Sequence, residues 1–290
     1  MTNRRDFFKT TSLLVAGSVI GANMVSAAIP AGKKKKKKIG LQLYSLRADM
    51  GKDAVATLKK AAEMGYYSLE TASYGDGKIY GMLPGEFKKQ VDDLGMKLSS
   101  CHLGGPNYTK ETHAAAMEWW KKAVEDHAKI GMKYMIKPSM SFPDKLDVLK
   151  QHMDYFNAIG ELTAAAGMKF GFHNHNREFG KIEDQIIYDF MIQNTDPKKV
   201  CFEMDVYWVM KGGYSPIDYM KKYSDRFPLL HIKDEKEIGE SGQLDFKAIF
   251  ETAYSIGMKD YFVEVERYNF EPLVSVQKSY DFLASASYVK

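Results

Sequence analysis

From Ile39 onward the chain alternates short β-rich runs with longer amphipathic ones, eight times over, and that alternation leaves few folds open. The β-rich runs are IGLQLYSL (39–46), YYSLETA (66–72), KLSSCHL (97–103), KYMIKPS (133–139), KFGFHNH (169–175), VCFEMDVYW (200–208), PLLHIKD (228–234) and YFVEVER (261–267). Between them, segments such as AVATLKKAAEMG and AMEWWKKAVEDHAKIG repeat apolar residues near i, i+3, i+4 and i+7, the spacing of one helix face. The phrase Gly-Met-Lys recurs at 95–97, 131–133, 167–169 and 257–259, where a helix should close on a left-handed glycine and a strand begin. Eight such units predict an α/β protein, a single-domain (β/α)8 TIM barrel over residues 39–290. An open doubly wound sheet would want a phosphate-binding glycine loop, and neither GxGxxG nor GxxxxGK[ST] occurs.

The residues before the barrel have a different character. Residues 1–28 join a basic start (Arg4, Arg5, Lys9) to a modestly apolar stretch and small residues at Ser26 and Ala27, the parts of a cleavable export signal. The paired arginines followed by Phe7 and Lys9 resemble a twin-arginine signal, with Asn3 where Ser or Thr is usual. Residues 29–38 end in six consecutive lysines and are expected to be a solvated linker. The expected destination is the periplasm, reached through the export machinery. Although the formal net charge is +4, leader and lysine run together carry more than that, leaving residues 39–290 net acidic. An acidic body argues against nucleic acid as a partner. Cys101 and Cys201 sit in apolar runs, where free thiols act as small hydrophobes.

Strand alternation then sorts the polar residues. His173 shares a face with His175, Glu203 with Asp205, His231 with Lys233, Glu264 with Glu266, Ser100 with His102, and Gln42 with Tyr44, while Glu70 falls near the end of its strand. These residues lie toward the C-terminal strand ends, where this fold carries its active sites. Carboxylates and imidazoles without a thiolate cluster point to one divalent metal ion: Mn²⁺ foremost, with Mg²⁺, Co²⁺ or Zn²⁺ as alternatives. His113, His127 and His152 fall in helical segments and are expected to be surface or packing residues.

The motifs GLQLYSLR, GFHNHNREF, FEMDVYW, HIKD and VEVERY, in this order, resemble the xylose-isomerase-like TIM barrels of the sugar phosphate isomerase/epimerase group. Carried over by motif, the resemblance implies His173, Asp205, His231 and Glu264 as metal ligands. Ketose epimerases of the group carry Glu where this chain has His173, so their two-carboxylate proton relay does not transfer. His175 becomes the candidate for proton transfer, with Lys233 and Glu178 as helpers. Tyr44, Glu70, His102, Trp208, Glu266 and Arg267 are the candidate substrate-binding residues.

The implied reaction is proton abstraction beside a carbonyl of a small keto-sugar, through an enediolate, leading to isomerisation or epimerisation. Elimination or hydrolysis of a 3-keto-glycoside shares that first step and stands as the alternative, favoured by export because sugar phosphates are largely cytoplasmic. A non-catalytic carbohydrate-binding barrel would be expected to have lost a metal position, and all four positions here carry ligand-capable side chains. Whether the chain forms a homo-oligomer is left open.

Overall fold

The computed structural model describes residues 37–290. The leader (1–28) and all of the linker but its last two residues lie outside the described residues. Lys37 donates through Nζ to the Leu283 carbonyl, and the Lys38 amide reaches the Lys290 carbonyl.

Eight parallel strands close into a barrel: β1 (Gly40–Gln42), β2 (Ser68–Thr71), β3 (Lys97–His102), β4 (Tyr134–Lys137), β5 (Lys169–His173), β6 (Val200–Asp205), β7 (Leu229–Lys233) and β8 (Asp260–Glu264). Each pairs with its sequence neighbours, and β1 closes the ring against β8 with Gly40 opposite Phe262. The expected fold is the observed one. Ten helices accompany the strands: α1 (Arg47–Lys52), α2 (Ala54–Met64), α3 (Pro84–Asp93), α4 (His113–Ala128), α5 (Leu146–Ala165), α6 (Ile187–Gln193), α7 (Val206–Lys211), α8 (Pro216–Lys222), α9 (Phe246–Ser255) and α10 (Pro272–Ser285). A small antiparallel ribbon, Lys181–Ile182 with Gln185–Ile186, interrupts the β5–α6 connection.

The recurring Gly-Met-Lys phrase is a helix stop. Gly95, Gly131, Gly167 and Gly257 all take positive φ, between 70° and 83°. The following methionine amides reach back to the carbonyls of Val91, His127, Thr163 and Ala253, the six-residue return bond of a Schellman cap. Met96, Met132 and Met168 are then buried, and the next residue, lysine, leads into a strand.

Strands are shorter than the β-rich runs, and side-chain caps explain two of the differences. The first run leaves extended geometry at Gln42, whose side chain accepts the Tyr44 amide and starts a 3-10 turn over Leu43–Leu46. The sixth ends at Asp205, whose carboxylate accepts the Trp208 amide and caps α7. Tyr44 and Trp208 are therefore not placed by strand alternation. His175, Glu266 and Arg267 likewise lie past the ends of β5 and β8.

Inside the barrel the lowest layer is apolar. Ile136, Leu229 and Phe262 form a separate buried cluster with Tyr134 against it. Gly171 makes room for it, since a Cβ there would lie 2.6 Å from Ile136 Cδ1 and 3.0 Å from Cys201 Sγ. Above this floor the inward residues become polar. Cys101 and Cys201 are free and buried. His127 is buried in α4, its Nδ1 2.7 Å from the Ala123 carbonyl and its ring edge-on to Tyr74, while His113 and His152 pack against Tyr108. All three are packing residues.

Candidate metal centre and cavity

Two stacked polar clusters occupy the C-terminal half of the barrel. The outer one joins His173, Asp205, His231 and Glu264, from β5 to β8, all buried, with one donor atom of each within 4.8 Å of the others. His173 Nε2 lies 3.4 Å from Asp205 Oδ2, and His231 Nδ1 lies 3.4 Å from Glu264 Oε2. Both separations are longer than the 2.7 Å imidazole–carboxylate contacts deeper in the barrel. They match ligands of a common cation: two atoms each about 2.1 Å from an ion sit about 3.4 Å apart at the tetrahedral angle. His173 Nε2, Asp205 Oδ2 and His231 Nδ1 have no hydrogen-bond partner although they are buried. Leaving one such group unsatisfied costs about 1–3 kcal/mol, so three around one point fit a site built for an ion. Two imidazoles and two carboxylates suit a divalent cation with open positions.

Neighbouring groups hold these ligands in place. Asp205 is fixed on both sides: its Oδ1 caps α7, and its backbone exchanges hydrogen bonds with Asn174, which Tyr188 anchors at 3.1 Å. Lys233 Nζ reaches Glu264 at 3.0 Å and Glu266 at 2.8 Å, and lies 5.7 Å over the Trp208 ring. Burial pushes the Asp205 carboxyl up to about 7. Burial also opposes ionisation of Glu264, but Lys233 and His231 beside it hold it well below the usual carboxylate range. Burial, with the His231 charge beside it, drives His173 well below an ordinary imidazole, so its ring is neutral.

The inner cluster lies one layer down. Glu70, His102, Glu203 and His231 form a ring in which carboxylates and imidazoles alternate. His231 Nε2 is 2.7 Å from Glu70 Oε2, and His102 Nε2 is 2.7 Å from Glu203 Oε2; the two cross distances are 3.2 Å. The two rings stack with centroids 5.0 Å apart and planes 14° from parallel. Gln42 and Ser100, the strand neighbours of Glu70 on β1 and β3, donate to its two oxygens at 2.6 and 2.5 Å. A register shift at Leu69/Glu70 sets Ser100 opposite Glu70. Burial and the neighbouring Glu70 push Glu203 up to about 7.

A cavity of about 360 Å³ opens over the outer cluster, lined by Tyr44, His102, His173, His175, Glu264 and Glu266, together with residues of the loops after β2, β3 and β4. A second chamber of about 240 Å³ shares Ser139 and His175 with it and continues along Met140, Phe142, Arg177 and Glu178. His175 is half-buried, faces both chambers and makes no side-chain hydrogen bond among the described residues. Burial lowers its pKa. Burial raises Glu178 to about 7, and its Oε2 has no partner.

The four metal candidates read from sequence thus come together, and His175, Tyr44, His102 and Glu266 reach the cavity. Three candidates sit elsewhere. Glu70 is wholly buried beneath the cavity and hydrogen-bonded to protein. Trp208, on α7, stands beside His175 with ring centroids 5.7 Å apart. Arg267 points to solvent and pairs loosely with Glu235 at 3.9 Å. Gln42 and Glu203 belong to the working cluster but were not among the sequence candidates. Their inward parity on adjoining strands was the available signal.

A family model described as the xylose isomerase-like TIM barrel matches residues 58–286. The chain belongs to this family. Among solved members, a sugar phosphate isomerase/epimerase from Parabacteroides distasonis is 40% identical, with 88% of this chain and 100% of that chain covered and a TM-score of 0.84. The 3-keto-D-glucoside 4-epimerase of E. coli shares the fold at 20% identity, with 87% and 100% covered and a TM-score of 0.70. The inosose dehydratase of Geobacillus kaustophilus is 23% identical over a 213-residue alignment that covers 66% of this chain and 66% of that enzyme's length, just under two thirds.

Proposed function

We propose that the protein is a metal-dependent isomerase or epimerase of small keto-sugars, acting by proton abstraction next to a carbonyl through an enediolate. The observation that carries this reading is the outer cluster, four donors that converge within 4.8 Å of one another at the floor of an open cavity. A divalent cation bound there, with Mn²⁺ the best match to two imidazoles and two carboxylates, would supply Lewis acidity to a carbonyl oxygen.

The chain's own residues supply the rest. His175, neutral at physiological pH and without a protein partner, is placed to take a proton from carbon. Lys233, charged and held between Glu264 and Glu266, keeps the wall of the site polar and Glu264 ionised. Tyr44, with Arg47 stacked on it at 4.7 Å, lines the cavity and offers a ring face to a sugar, while Trp208 packs beside His175. The side chains lining the main cavity include the carboxylates Glu264 and Glu266 and neither Lys nor Arg, which suits an uncharged substrate better than a phosphate ester. Export through the leader to the periplasm is part of this proposal and would present such unphosphorylated sugars.

Elimination from a 3-keto-glycoside or a related keto-polyol is the second reading. The second chamber supports it, because it extends the site beyond the size of one sugar ring. Glu178 supports it too, since a carboxyl near neutrality can protonate a departing oxygen. The dehydratase relative, whose name implies loss of water from its substrate, adds a precedent on a similar chain.

One experiment separates these outcomes. The protein is incubated with Mn²⁺ and either 3-keto-glucose or methyl 3-keto-glucoside in D₂O. Deuterium beside the carbonyl with the carbon skeleton intact supports isomerase or epimerase action. Release of methanol with an unsaturated ketone supports elimination. No exchange and no product with either sugar would overturn both and leave a binding protein.

A further inference from the structure

The inner ring contains a chain of hydrogen bonds whose direction can be traced from a donor of known polarity. The Tyr44 backbone N–H can only donate, and it donates to Gln42 Oε1 at 3.0 Å. That makes the other end of the Gln42 amide the NH₂ group, which faces Glu70 Oε2 at 2.6 Å. Glu70 Oε2 must therefore accept. Its other oxygen accepts from the Ser100 hydroxyl at 2.5 Å. Two imidazoles also approach Oε2: His231 Nε2 at 2.7 Å, within hydrogen-bond length, and His102 Nε2 farther off at 3.2 Å, its own short contact being with Glu203. An ionised carboxylate has no proton to give, so in the short contact with Glu70 it is His231 Nε2 that carries one.

We propose that Glu70 is a positioning residue that holds the His231 proton on Nε2, so that Nδ1 is the atom presented to the cation. Nδ1 is the nitrogen that faces the outer cluster: it is buried, lacks a hydrogen-bond partner and lies 3.4 Å from Glu264 Oε2. An imidazole whose Nδ1 coordinates a metal keeps its one proton on Nε2, and a carboxylate behind Nε2–H fixes both the tautomer and the ring plane. Glu203, 3.2 Å from the same Nε2, closes the other side of the ring and hydrogen-bonds His102, which stacks on His231. Both oxygens of Glu70 are already engaged by donors from β1 and β3, so its carboxylate has little freedom to rotate away. Its burial beneath the cavity removes it from any contact with substrate.

The inference rests on the metal reading above, and its test keeps the two apart. Mn²⁺ binding is measured by calorimetry for the wild type, Glu70→Ala, Glu70→Gln and Ser100→Ala, with circular dichroism as a check on folding. The tautomer is read from ¹⁵N-histidine spectra of the Zn²⁺-loaded wild type, with His231→Ala used to assign the resonances. Glu70→Ala should weaken Mn²⁺ binding about 10–100-fold, the range for a partner behind a ligating imidazole. Glu70→Gln keeps an acceptor oxygen for Nε2–H and should recover most of that loss, which a residue needed only for packing polarity would not distinguish from Ala by affinity. Ser100→Ala leaves the Oε2 path intact and should change affinity by less than about threefold. In the spectra, His231 should show a protonated Nε2 and a metal-shifted Nδ1. Zn²⁺-bound His231 protonated at Nδ1, or a folded Glu70→Ala protein that binds Mn²⁺ as tightly as wild type, would overturn the inference and leave the metal reading standing. Failure of the wild type to bind either ion would overturn both.

Discussion

The outer and inner clusters are built from the same two residue types and share His231, yet they are spaced for different occupants. In the inner ring, imidazole nitrogens and carboxylate oxygens meet at 2.7 Å, the length of a charge-assisted hydrogen bond, and a proton fills each short contact. In the outer cluster the corresponding pairs stand at 3.4 Å with orphaned atoms between them. A difference of this size is enough to change what a cluster of His and Asp/Glu is for. Residue type alone would mark both as metal sites. The separations, together with the donors that already satisfy Glu70, make the outer one the better fit for the cation of the proposed enzyme.

Several measurements can break or sharpen that contrast. Dialysis against a chelator should have the largest effect, abolishing turnover of the keto-sugar while far-UV circular dichroism stays unchanged, and Mn²⁺ should restore activity. Turnover that survives metal removal would end the distinction between the clusters. Next in size, His173→Ala removes an outer ligand and should weaken Mn²⁺ binding by more than about 100-fold, beyond what loss of a supporting partner costs. Glu203→Ala, an inner change, should weaken it by roughly tenfold. Calorimetry on the pair tests the ranking, and an inner variant that binds worse than the outer one would invert the assignment.

An effect on stability rather than on binding is expected at Glu178, which belongs to neither cluster. Its folded pKa is raised to about 7, so the folded state holds a proton there that the unfolded state releases from its ordinary carboxylate value upward. Stability must then fall as pH rises from about 4.5 to about 7 and level off above that. Glu178→Gln does not titrate and should be more stable than wild type above pH 7, by on the order of 3 kcal/mol, with the gain vanishing below pH 4.5. Denaturant unfolding at the two pH values measures it. Smallest of all, Arg267→Ala should leave stability within about 0.5 kcal/mol, because its partner is distant and both side chains are exposed. Steady-state kinetics should likewise show kcat/KM within about twofold of wild type.

Much of the barrel was legible because each βα unit carries its own punctuation. The Gly-Met-Lys stops, the amphipathic helices and the parity of residues such as His231 and Glu264 all depend on local chemistry that the chain spells out. The metal candidates lie at inward positions within β5 to β8, and those converged. What alternation misplaced lies beyond the strand ends. Gln42 and Asp205 cap the turns that follow them, so Tyr44 and Trp208 are set by 3-10 and helical geometry rather than by a pleat. The role of Glu70 was hidden for another reason. Its position on β2 says that it faces inward, but not how deep it lies or that Gln42 and Ser100 have already claimed its oxygens.

The plug of Ile136, Leu229 and Phe262 beneath the polar layers has a kinetic consequence. Among the described residues that end of the barrel is closed by apolar side chains, so in the proposed enzyme substrate and product would share the opposite rim. Turnover at high sugar concentration should then be sensitive to accumulated product, which competes for the same rim.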